Sequence, residues 1–178
     1  MHASRVGGRV APPWCHDAVQ QTDLQAWLLQ FPARHRKRAQ QILTALQELG
    51  CDDPQDWAES EVREDLPQVA RYRFLRSIWP EMIDSWRDGI TNIPAAQRAI
   101  DSGASPDDVA QAARAVAYET VFAMLEHLAD DEPAEGLPAW ALAEVDPAGE
   151  PTGRHLDGLH EDLLTLDPSG HDGQDLWT

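Results

Sequence analysis

Lysine is nearly absent from this chain, with Lys37 alone beside 13 arginines. Abundant Ala, Gly and Pro accompany that bias, as in a GC-rich bacterial genome. Cysteine is as scarce. Cys15 and Cys51 are the whole complement, and neither sits in a CxxC pair. That excludes a disulfide framework and points to two reduced thiols in a cytoplasmic protein. No run approaches the ~18 apolar residues that a membrane span needs. Residues 1–20 also lack the roughly 7–15-residue apolar stretch of a signal peptide. The expectation is a soluble protein with no membrane partner.

Catalytic signatures are missing too. GxSxG, the P-loop, GxGxxG and HExxH are absent, so no catalytic residue and no cofactor is assigned. His155 and His160 are five apart and share no helix face. Glu119 and Glu126 align, but the Glu-x-x-His partner of a di-iron bundle is lacking, so no metal ligand is assigned either. Neither an internal repeat nor a sustained heptad is present.

What the chain does have is charge of one sign in one half. Residues 1–100 carry 12 Lys+Arg against 13 Asp+Glu, whereas residues 101–178 carry 2 against 18. The total is −17. A long one-signed segment repels nucleic acid and attracts basic partners. With 42% hydrophobic and 25% charged residues in 178 positions, the composition is that of one globular domain.

Apolar periodicity predicts helices over about 23–31, 33–49, 67–88, 93–102 and 105–129, with a short one opened by Asp53-Pro54. Pro80 should kink or split the helix over 67–88. Ser105-Pro106-Asp107-Asp108 combines a cap, a first-turn proline and two acids at the positive dipole end. Ala110, Ala113, Ala117, Val121, Met124 and Leu128 are expected to form the core face of the helix that follows. Beyond Pro133, Trp140–Asp146 and Arg154–Leu156 read as two strands about a Pro/Gly turn. A short helix with Leu159, Leu163 and Leu166 comes next, then terminal residues that are loose apart from Leu176 and Trp177. The expected fold is therefore mainly α with a small C-terminal β-hairpin: five to six helices around the Ser105–Ala129 helix. Its parts are a flexible arm (1–20) that Trp14 and Cys15 can dock onto the body, a helical core (21–132) and an acidic hairpin and short helix (133–178).

Two surfaces compete for function. The acidic half, with Asp130, Asp131, Glu132, Glu144, Asp146, Glu161 and Asp162 for steering and Trp140 as an apolar anchor, suits a basic protein partner. A non-enzymatic regulator of inhibitor, immunity or antitoxin type would carry such a face; the same acids can also be no more than a solvated surface. The alternative is an anion or nucleic-acid patch of Arg34, Arg36, Lys37, Arg38, Arg71, Arg73 and Arg76, handicapped by the net charge. Those arginines can instead pair with the chain's own acids. A homodimer joining the basic and acidic faces, and an enzyme of unrecognised class, complete the alternatives.

Overall fold

A computed structural model describes residues 23–129 and 138–177. The arm expected over residues 1–20 and the acids Asp130, Asp131 and Glu132 lie outside them. The protein is mostly helical with one two-stranded antiparallel sheet near the C-terminus, the fold class read from the sequence.

The first layer is built locally. Helix α1 (residues 23–29) runs into Pro32, and α2 (Ala33–Glu48) begins directly after it. Gly50 follows α2 at φ +74°, a left-handed conformation that a side chain would strain. Asp53 and Pro54 open α3 (Pro54–Glu64), which leads into α4 (Gln68–Ile78). Trp27, Phe31, Ala39, Ile42, Leu43, Leu46, Ala58 and Tyr72 fill the space between these helices. The Trp27 and Phe31 rings meet edge to face with centroids 4.9 Å apart.

Pro80 splits the long helix as its missing N–H requires. Helix α4 passes into a π-helical turn (Trp79–Ile83), where the Asp84 N–H reaches back five residues to the Trp79 carbonyl at 2.7 Å. The wide turn directs Trp79 and Ile83 inward, both fully buried. Helix α5 (Ser85–Gly89), a 3₁₀ turn (Ile90–Asn92), α6 (Pro94–Asp101) and α7 (Pro106–Ala129) follow.

The hairpin pairs β1 (Ala143–Val145) with β2 (Pro151–His155), with Ala143 opposite His155 and Val145 opposite Pro151. After it, a 3₁₀ turn (Leu159–Asp162) sends Leu159 and Leu163 into a second core with Leu75, Ile78, Trp79, Ile83, Tyr118 and Leu125. The Trp79 indole N–H donates to the Leu163 carbonyl at 2.8 Å. The last residues, expected to be loose apart from Leu176 and Trp177, are built in around those two. Gln174–Trp177 forms a 3₁₀ turn, Leu176 is buried in the second core, and Asp175 pairs with Arg114 at 3.2 Å. The Asp167 carboxylate wires this closing loop by accepting from the Ser169 and Gly173 N–H groups and the Ser169 hydroxyl.

Helix α7 gathers α5, α6, the π turn and both C-terminal 3₁₀ turns along one side. That side is not the one expected. The inward residues are Arg114, Tyr118 and Leu125, while Met124 is 55% exposed. At 3.6 residues per turn the helix is turned by about 80° from the face of Ala110, Ala113 and Ala117. Tertiary contacts account for the turn. Buried Arg114 pairs with Asp84 at 2.9 Å and with Asp175, and the Tyr118 ring packs against Trp79 and Trp177.

Candidate partner-binding surface

The charged residues singled out in the sequence divide into those consumed within the fold and those left on it. Arg154 on β2 forks onto Glu144 on β1, with nitrogen–oxygen distances of 2.8 and 2.7 Å. It also donates to Glu61 on α3 at 3.0 Å. Glu61 is 3% exposed and accepts a further bond from the Val69 N–H at 2.9 Å. Arg38 joins this network through Asp65 at 2.9 Å and lies 3.8 Å from Glu61. The hairpin is thereby tied to the helical layer through a desolvated carboxylate.

Arg71 on α4 closes a second link. It binds the Asp162 carboxylate at 2.5 Å and the Asp157 and Gly158 carbonyls. Asp146 is occupied within its own turn, accepting from the Ala148 and Glu150 N–H groups. Of the described acids expected to steer a partner, Glu144 and Asp162 hold the fold together, Asp146 shapes a turn, and Glu161 is free on the surface.

The basic residues do not coalesce. Arg36 donates to the Phe31 carbonyl at 3.0 Å, and Arg34 to its neighbour His35 at 2.8 Å. Arg38 and Arg71 are taken up in ion pairs. Arg34, Lys37, Arg73 and Arg76 remain exposed. Arg76 lies over Gly50, beyond the C-terminal end of α2, whereas Arg34 sits in its first turn. Sixteen helical residues of about 1.5 Å rise separate those two ends.

The surface that stands out is the outer side of α7. Val116 is 66% exposed and Met124 55%, and Ala112, Thr120 and Ala123 are exposed between and beside them. An open apolar groove of about 560 Å³ runs between this ridge and Trp86 and Ile93. A second, of about 660 Å³, runs along the other flank from Ala115 to His127. At the far end the Trp140 ring, half exposed, lies 5.3 Å from the ring of His127. From Ala112 to His127 the ridge extends about 22 Å at 1.5 Å per residue. Exposed apolar residues scattered singly are ordinary, and Leu29, Met82 and Val145 are of that kind; a continuous ridge of this length is not.

Its rim is acidic. Asp108, Glu119 and Glu126 are all exposed, and at 100° per residue they fall within about 20° of one another, beside the apolar ridge. The sequence carried this signal in the spacings of 11 and 7 between those acids. Reading the alanines as the core face concealed it. The sequence sets Trp140 beyond the long helices and aligns Glu119 with Glu126; that Val116 and Met124 lie exposed beside them follows only from the orientation of α7.

Among the described residues no three His, Cys, Asp or Glu side chains are grouped so as to hold a metal ion, and no helix is long and apolar enough to cross a membrane. Cys51 is half-buried; burial pushes its thiol above the usual range, and Asp52 and Asp53 add to the shift. That environment opposes a reactive thiolate. No known protein family, curated protein or solved structure matches the chain.

Proposed function

We propose that this is a non-enzymatic partner-binding protein, with the outer side of α7 as its docking face and a basic, amphipathic segment of another protein as its occupant. The observation that carries this reading is the apolar ridge from Ala112 to His127, flanked on one edge by Asp108, Glu119 and Glu126. Apolar contact along the ridge supplies affinity, and the acids select and orient a cationic partner. Trp140, at the end of the ridge, is the natural anchor. A regulatory or neutralising role for a basic protein follows from this surface. The arginine-based alternative loses support because Arg38 and Arg71 are spent in internal pairs and the free cations are dispersed.

The test uses an 18-residue Leu/Lys peptide with helical amphipathic spacing, a scrambled peptide of the same composition, and a version with Glu for Lys. Binding is followed by amide chemical shifts in the full chain. Shifts confined to α7 and Trp140, seen with the basic helical peptide alone, weakened by salt and lost in Val116→Asp/Met124→Asp, are expected. Both positions are exposed, so the double variant should keep its fold. Equal binding of all three peptides, or binding unaffected by the double variant, overturns the proposal. Recovery of RNA or DNA that depends on Arg34, Lys37, Arg73 and Arg76 does so as well.

A further inference from the structure

The docking face has a candidate occupant within the chain itself. Two segments lie outside the described body, residues 1–22 and 130–137, and their charges differ in sign. Residues 130–137 read Asp-Asp-Glu-Pro-Ala-Glu-Gly-Leu, four acids and no base, and would be repelled by an acidic rim. Residues 1–16 carry Arg5 and Arg9 and no acid. The Arg-Val pair occurs twice there, as Arg5-Val6 and Arg9-Val10, with Trp14 four residues further on. Cation beside apolar residue, repeated, is the complement of a face on which acids run beside an apolar ridge. A second copy is a poorer occupant, because two chains of −17 repel.

We infer that residues 1–22 dock on the outer side of α7, with Val6, Val10 and Trp14 against the Val116–Met124 ridge and Arg5 and Arg9 toward Asp108, Glu119 and Glu126. The inference rests on the reading of that side as a docking face. Tether length sets the reach. Trp14 stands nine residues before Asp23, where α1 begins, a span of up to about 30 Å. A body of this size has a radius of gyration of about 15 Å. Tethering gives the arm a local concentration in the millimolar range, so even weak contacts keep the face partly covered. An external basic segment must displace it, and its apparent affinity falls by the fraction of molecules left uncovered. The arm is thus a built-in competitor that sets a threshold for partner binding.

Cys15 offers the probe. In full-length Cys51→Ala, or equally Cys51→Ser, a nitroxide is attached to Cys15 and amide signal loss is compared with the reduced label. Selective loss at Val116, Thr120 and Ala123 is expected, removed by Arg5→Glu/Arg9→Glu. The same double variant should bind the Leu/Lys peptide about two- to ten-fold more tightly. Uniform loss, loss centred elsewhere, or none overturns the inference. So does loss at α7 in a mixture of nitroxide-bearing unlabelled chain with label-free ¹⁵N chain, which would assign the face to a second copy. Peptide binding in the wild type with no effect from the Cys15 nitroxide would remove this inference alone and leave the docking face standing.

Discussion

Replacing Arg154 by Met removes the cation that joins the hairpin to the helical layer while keeping most of the side chain's apolar length. Three acceptors lose a charged donor: Glu144, the Leu66 carbonyl and buried Glu61. Glu61 decides the magnitude. Its side chain is 4% exposed, so the orphaned charge cannot turn to water. Breaking a buried pair from one side typically costs about 3–5 kcal/mol. Two features reduce that here: the Arg154 side chain is itself 20% exposed, and Glu61 keeps the Val69 N–H at 2.9 Å with Arg38 at 3.8 Å. The expected loss is about 2–3 kcal/mol, or roughly 4–12 °C in Tm for a chain of this length. Urea unfolding followed by Trp fluorescence and by circular dichroism measures it. Adding Glu61→Gln to Arg154→Met should recover part of the loss, because the most deeply buried unpaired charge is then gone and only Glu144, 11% exposed, is left without its cation. The i,i+4 surface pair of Arg63 with Glu59, 2.7 Å apart, is the control; Glu59→Gln should change stability by less than about 0.5 kcal/mol. A loss below about 0.5 kcal/mol for Arg154→Met, or a double variant no better than the single one, would refute the reasoning.

Two further outcomes test the closing segment. Leu176→Ala should destabilise by about 2–5 kcal/mol, as expected for a buried core leucine, when measured by thermal unfolding; a neutral result would mean that the last turn does not close the second core. Burial alone would raise the Asp167 carboxyl, but the Ser169 hydroxyl and the Ser169 and Gly173 N–H groups outweigh it and hold the group below its ordinary value. Its stabilising contribution is therefore complete above about pH 4, where the unfolded carboxyl is already ionised, and is lost as pH falls through the lower folded value. Asp167→Asn should flatten the acid limb of a stability–pH curve; an unchanged limb would assign the acid sensitivity to other groups.

The local elements of this fold were legible because their signals are local. Pro32, Gly50, Asp53-Pro54 and Pro106 stand where helices stop or start, and Pro80 marks the π turn. Side-chain allegiance was not legible. Glu144 and Asp162 read as free steering charges because their cations, Arg154 and Arg71, come from positions that local spacing does not reveal; Arg71 and Asp162 are 91 residues apart. The orientation of α7 failed for a related reason. Hydropathy places alanine inward ahead of arginine, yet Arg114 is buried because Asp84 and Asp175 converge on it. The closing loop escaped notice because single 3₁₀ turns carry no periodicity. The proposed docking face was half visible: Trp140 stood out as an aromatic beyond the long helices, while an exposed apolar ridge looks like a core face until the fold shows what it does not touch.

The two cores differ in how far along the chain they reach. Trp27 to Tyr72 closes a cluster from neighbours in sequence, whereas Trp79 meets Leu163 across 84 residues. Loop closure makes the second cluster the slower to form and the cheaper to open. The expected order of assembly therefore puts the α1–α4 layer first, with the C-terminal segment joining it through Leu166, Arg71–Asp162 and Arg154–Glu61. Amide hydrogen exchange would then sort into two tiers, with Leu163 and Leu176 exchanging through a partial opening and Leu43 and Leu46 only through global unfolding. An opening of this kind would bare Trp79 and the inner side of α7, so the helix whose outer face is proposed to receive a partner is also the wall that a transient fluctuation uncovers from within.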